Sequence, residues 1–239
     1  MRDPLGGLLP DMLHVWRICL SQSEDVVRKL AQHLSADEAR RADLYRRELD
    51  RRRCTVAHGA LRELLAEYTS QTPRDVSFGC TAMGKPFLVH DRGEHCLRFT
   101  LSHSGEWAVV GLALLTEVGI DIEQIEPNVS LQAVAEQFFS RNEVEALRDA
   151  PSEQRADFFF TAWARKEAYV KARGDGIADR LQRFSVSVNP GQPPILRSDS
   201  LDPWARLRWR LYDLDIAKGY AAAIAAEGVM HAIRMMRWT

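Results

Sequence analysis

The order of elements in this chain repeats, and that repeat limits what it can fold into. A strand-like stretch over 14–20 leads into helical segments. Apolar residues at helical spacing follow (Cys54, Ala57, Leu61, Leu64, Leu65, Tyr68), and then short β-like pieces at 76–78, 86–89, 97–101 and 107–115. From 119 onward the series runs again: a strand over 119–123, helical segments, a long helix over 152–173, and strands over 184–188, 207–214 and 220–226. Such an order is compatible with two related α+β halves, one spanning 1–117 and the other 118–239, meeting near Val118. No repeat of 20–50 residues is present, so a solenoid is not expected.

Composition excludes several classes. At 239 residues, 46% hydrophobic and 27% charged, the chain has the makeup of an ordinary globular protein able to bury a sizeable core. The 32 Lys+Arg against 33 Asp+Glu leave no global basic field, so neither nucleic acid nor an anionic membrane is an expected partner, although arginines gather between Arg40 and Arg53. No segment reaches the ~20 apolar residues that span a bilayer, and the first residues lack a secretory pattern. Residues 1–11 read as a mobile lead. Cys19, Cys54, Cys80 and Cys96 are widely spaced with no C-x-x-C pair, which suits a reduced cytoplasm rather than a disulfide framework. His90, His95 and Cys96 lie close in sequence, but with Asp91 and Gly93 among them a polar loop is the better reading.

Local signals place the rest. Ser35 with Glu38 and Ser140 with Glu143 have the form of capping boxes at helix starts. Gly174 is placed to stop the long helix. The stretch Ser102-His103-Ser104-Gly105-Glu106 suits a hairpin connection that would hold His103 at a strand tip. In Gly119-Ile120-Asp121-Ile122-Glu123, alternation sends Ile120 and Ile122 to the core and Asp121 with Glu123 to the opposite face. Taken alone, two such carboxylates face water more often than they share a cation. In the long helix Trp163, Glu167 and Lys171 recur at i, i+4 and i+8 and form one stripe. In isolation an exposed Glu–Lys pair would explain the last two.

Together these pieces resemble a known family. Gly84-Lys85-Pro86, Leu101-Ser102-His103-Ser104, the 119–123 strand, Phe138-Phe139-Ser140 with Glu143, and the segment from Trp163 to Lys171 resemble, in order and spacing, the motifs of Sfp-type 4′-phosphopantetheinyl transferases. The resemblance covers about 35–184. It implies a pseudo-dimer of two similar α+β halves in one chain, acting as a monomer, with coenzyme A in the cleft between them. It further implies transfer of the 4′-phosphopantetheine arm to a serine of an apo acyl or peptidyl carrier protein, with release of 3′,5′-ADP.

By the same resemblance Asp121, Glu123 and Glu167 would hold Mg²⁺, and Glu167 and Lys171 would be the catalytic pair. Arg53, Lys85, Pro86, Ser102, His103, Lys171 and, more weakly, Arg41 would hold the coenzyme. The general base stays open between Glu167 and a water on the metal. Glu38 departs from the family, which can have a basic residue there, and Ala164 replaces a small hydroxyl residue. The segment 125–139 is the candidate carrier-docking region. A non-catalytic coenzyme or carrier-binding module and a Mg²⁺-dependent phosphohydrolase are the competing readings.

Overall fold

The computed structural model describes residues 7–89, 96–126, 131–174 and 181–239. The first half runs β1 (Met12–Cys19), α1 (Glu24–Ala31), α2 (Ala36–Asp43), α3 (Glu48–Thr69), β2 (Phe78–Cys80), β3 (Pro86–Leu88), β4 (Leu97–Ser104) and β5 (Trp107–Leu114). The second runs β6 (Val118–Gln124), α4 (Leu131–Phe138), α5 (Arg141–Asp149), α6 (Arg155–Arg173), β7 (Phe184–Val186), β8 (Leu196–Asp199), α7 (Ala205–Arg208), β9 (Trp209–Asp213), β10 (Tyr220–Glu227) and β11 (Ala232–Arg237).

The two halves use one pairing scheme. In the first, strands stand in the order β1-β5-β4; in the second, β6-β10-β9; each half adds a small two-stranded sheet, β2-β3 or β7-β8. Each also has one long helix, α3 or α6, whose inner face is packed with small and apolar residues. The α+β pseudo-dimer follows from this match. The last strand then crosses over: β11 pairs in parallel with β1, His14 opposite Arg234, so the end of the chain completes the first half's sheet.

Hydroxyl side chains join the sheets where backbone pairing stops. Alternate residues of β4 reach β6: Thr100 Oγ1 accepts from Ile120 N at 3.2 Å, Ser102 Oγ donates to Asp121 Oδ1 at 2.9 Å, and Ser104 Oγ donates to Glu123 Oε2 at 3.0 Å. Ile120 and Ile122, fully buried, face a core shared with Leu13, Val15 and Val109. Gly119 lies on the other face, against α6. A Cβ there would stand 2.1 Å from Ala172 N and 2.2 Å from Ala168 O, so the helix backbone can approach only because residue 119 lacks a side chain.

Several expectations are corrected. Leu8 is buried, so the lead over 7–11 packs against the core through a turn that ends at Met12. β4 extends to Ser104 because its hydroxyls find partners on β6; His103 is therefore a strand residue opposite Ala108, and the hairpin turn is Gly105 and Glu106. Leu207 belongs to the short helix α7, and the strand begins at Trp209. β2 begins at Phe78 rather than at 76. The Ser35–Glu38 capping box closes in both directions, Glu143 accepts from Ser140 N at 2.7 Å while Ser140 Oγ has no partner among the described residues, and Gly174 closes α6 in the left-handed conformation at φ 68°. His90 and His95, and residues 127–130 of the docking segment, lie outside the described residues.

Candidate active site between the two halves

The stripe on α6 lies along the polar face of β6. Trp163, at the start of the stripe, lies near Glu123 and favours its charged form. Eight residues on, Lys171 Nζ donates to Asp121 Oδ1 at 2.6 Å and to Ser102 Oγ at 2.9 Å. Glu167 lies between them, buried, and interacts electrostatically with Asp121, Lys171 and Glu123. Three carboxylates and one ammonium thus meet where β4, β6 and α6 converge.

This is an unfavourable place for acids, and their titration reflects it. Burial raises the pKa of Asp121, against the pull of Lys171 and Ser102. Burial and then the neighbouring Asp121 push Glu123 up to about 7, opposed by Ser104, Lys171 and Trp163. Glu167 is pushed up to about 7 by burial first and by Asp121 and Glu123 besides, with Lys171 opposing. Asp121 Oδ2 is buried and has no hydrogen-bond partner among the described residues. Among those residues no three acidic, histidine or cysteine side chains are placed so that together they could hold a metal ion. The donor set is nevertheless that of a hard-cation site, since two or three oxygens with surplus negative charge suit a divalent ion that takes its remaining ligands from elsewhere.

Beside the acids opens a cleft of about 730 Å³. One wall comes from α2, α3, β2, β3 and β4; the other is the end of α6, with Val170, Lys171 and Gly174. Of the residues expected to hold a coenzyme, Arg41, Lys85, Pro86, His103 and Lys171 line it. Ser102 lies just beneath, holding Lys171. Arg53 does not line the cleft; it acts electrostatically on His103, and its Nε is buried without a partner among the described residues. Lys85 is committed to a contact between the halves, donating to Glu117 Oε2 and to Ala172 O, each at 2.6 Å. His103 is exposed on the cleft wall, and its pKa is lowered by desolvation, then by Lys171 and Arg53.

Sequence reasoning missed other residues here. Thr100 and Ser104 join the halves, and the only trace of that role is a hydroxyl at every second residue of 100–104. His58 and Arg62 also line the cleft; on a largely apolar helix they gave no signal. Glu38, the departure from the family, is explained locally. Besides its capping box, its Oε2 accepts from buried Arg62 Nε at 2.7 Å.

Known proteins resemble this chain over both halves. Residues 19–113 match the family described as 4′-phosphopantetheinyl transferase, N-terminal, and 117–225 match the 4′-phosphopantetheinyl transferase superfamily. The 4′-phosphopantetheinyl transferase HetI of Nostoc sp. (strain PCC 7120) is 38% identical over 95% of this chain and 92% of its own. The 4′-phosphopantetheinyl transferase Sfp of Bacillus subtilis (strain 168) is 28% identical over 87% of each. Among solved structures, a holo-(acyl-carrier-protein) synthase from Bacillus anthracis str. Ames, in complex with CoA (3′,5′-ADP), overlaps 47% of this chain and 96% of its own at 25% identity and a TM-score of 0.38.

Proposed function

The chain belongs to the 4′-phosphopantetheinyl transferase superfamily, and from that premise we propose that it transfers the 4′-phosphopantetheine arm of coenzyme A to a serine of an apo acyl or peptidyl carrier protein, releasing 3′,5′-ADP. The observation that carries the reading is the junction of Asp121, Glu123, Glu167 and Lys171 at one edge of a cleft lined with cations.

In this reading the serine oxygen attacks the β-phosphorus of the coenzyme as its proton passes to a base, for which Glu167 is this chain's candidate, and the bond from that phosphorus to the oxygen of the leaving 3′,5′-ADP breaks in line. Such a step is accelerated mainly by positioning and by charge stabilisation. Asp121, Glu123 and Glu167 would hold Mg²⁺, whose chemistry when bound is to offset negative charge on the pyrophosphate. Lys171, fixed by Ser102 and Asp121 29% exposed at the cleft, donates to the phosphoryl oxygens under attack. Arg41 and His103 gather the coenzyme's remaining negative charge, with Arg53 acting on His103 from outside the cleft lining. Lys85 and Pro86 shape the wall opposite Lys171, with Lys85 also bracing the end of α6. Residues 1–117 and 118–239 act as the two halves of this site. Since one chain supplies both walls, it works as a monomer, and four free cysteines support a cytoplasmic setting. Among the described residues no helix is long and apolar enough to cross a membrane.

The test is to incubate the protein with coenzyme A, Mg²⁺ and apo carrier proteins of fatty acid, polyketide and nonribosomal peptide synthesis, and to weigh the carriers. A gain of one phosphopantetheine arm on at least one carrier is expected. No gain on any of them contradicts the proposal, and tight coenzyme A binding without transfer would mark a binding module instead.

A further inference from the structure

His58 lies half-buried on the inner side of α3, in the cleft wall with Arg41, Arg62 and His103. Neither the motifs nor the acid cluster account for it. Its Nδ1 is 3.8 Å from Glu38 Oε1. Glu38 is itself nearly buried, and its other oxygen, Oε2, accepts from Ser35 N at 2.8 Å and from Arg62 Nε at 2.7 Å. The carboxylate is therefore held in place with Oε1 turned toward the imidazole. With Nδ1 directed at Glu38, Nε2 is the nitrogen left to meet a ligand.

The charged and titratable groups facing His58 act in opposite directions. Burial lowers its pKa, Glu38 works to raise it, and His103 from β4, Arg41 from α2 and Arg62 from α3 lower it further. Desolvation and cationic neighbours thus favour the neutral ring in the free protein. An anion entering among these cations reverses their effect, because a nearby negative charge favours the protonated form.

From this geometry we infer that His58 is a proton-linked phosphate contact: its imidazolium forms as a phosphate of the bound coenzyme enters the cleft, with Nε2–H donated to that phosphate and the Nδ1 side ion-paired with Glu38 across 3.8 Å. The inference rests on coenzyme A being the ligand of the cleft. Binding then takes up a proton, and by linkage affinity for the coenzyme rises as pH falls through the titration of the ring. His103 has a different setting, facing Lys171 and Arg53, with no carboxylate acting on it among the described residues.

The experiment is calorimetric titration at about pH 7.5, where a phosphate monoester is largely dianionic. Wild type, His58→Gln, His58→Lys and His103→Gln are each titrated with coenzyme A and with 3′-dephospho-coenzyme A, in buffers of different ionisation enthalpy. The slope against buffer enthalpy counts the protons taken up. Wild type is expected to take up roughly half a proton or more per coenzyme A bound. His58→Gln should lose that uptake and bind about three- to tenfold more weakly, as fits one charge-assisted hydrogen bond lost. His58→Lys should keep the affinity without the uptake, and His103→Gln should keep the uptake. Uptake that survives with the dephospho ligand puts His58 on the pyrophosphate, and uptake that disappears puts it on the 3′-phosphate; either supports the inference. Wild type that binds without proton uptake, or His58→Gln with uptake and affinity unchanged, overturns it. Failure of wild type to bind coenzyme A at all contradicts the transferase reading instead.

Discussion

Two groups of buried charge occupy neighbouring residues of α6, and they are built in opposite ways. On one side of the helix Arg165, with no exposed side-chain surface, donates to both oxygens of Asp213, at 2.8 and 2.5 Å, and to the carbonyls of Ser187, Asn189 and Gln192. Lys166 next to it donates to both oxygens of Glu143, at 3.0 and 2.7 Å, and to Phe184 O at 2.8 Å. Glu143 in turn accepts from Ser140 N and Val186 N, so the capping box of α5 is continuous with the core. The side facing β6 carries Glu167, raised to about 7, beside Asp121 with an unpartnered oxygen and Glu123 likewise raised. The first group is satisfied and holds the second half together. The second has an excess of acid that folding alone does not require. Consistency of local choices is what specifies a fold, and its breach at a cleft is where chemistry is expected.

The sharpest way to break this contrast is to remove one partner from the satisfied group. Lys166→Ala leaves Glu143 buried with its ammonium partner gone and should cost ~3–5 kcal/mol in urea unfolding. A loss below ~1 kcal/mol would mean that the pair is not structural. On the unsatisfied side the effect should move from stability to chemistry. Asp121→Ala should lower transfer to a carrier about a thousandfold, ~4 kcal/mol in the barrier, while changing unfolding free energy by less than ~1 kcal/mol. Full turnover in that variant would remove Asp121 from the site.

His14 sharpens the comparison as an incomplete polar group with no chemistry near it. It is fully buried, its Nδ1 is 2.6 Å from Tyr68 Oη, and its Nε2 has no partner among the described residues. Burial, and then Arg234, lower its pKa below the ordinary 6.5. The unfolded chain therefore binds this proton first as pH falls. The stability is present above about pH 6.5 and is lost as pH drops through the folded value, by at most about 1.4 kcal/mol per pH unit. His14→Phe should flatten this acid dependence in unfolding experiments and leave transfer at neutral pH unchanged. An unaltered acid limb would place the sensitivity elsewhere.

What was legible in the sequence is what lies within a few residues of itself. Ser35 with Glu38 and Ser140 with Glu143 close their hydrogen bonds three residues apart, and Trp163, Glu167 and Lys171 share a face by helical geometry alone. The partners across space were harder to read. β11 finds β1 more than two hundred residues away, and its largely exposed side chains give no clean alternation. Nothing beside Arg165 and Lys166 in the chain marks them as buried, because their acceptors, backbone carbonyls and the carboxylates of Asp213 and Glu143, lie far away in sequence. His58 had no pattern to mark it, because its importance comes from Glu38 on another helix.

The contrast on α6 is tested most directly by Glu167→Gln, unfolded in urea in metal-free buffer at about pH 8, with transfer assayed on the same preparation. If Glu167 is kept for chemistry against the interest of the fold, neutralising it relieves repulsion with Asp121 and Glu123. The variant should then be more stable by ~1 kcal/mol and nearly inactive, as expected where a site trades stability for activity. A variant that is less stable by a similar amount and still transfers the arm at the wild-type rate would contradict the account.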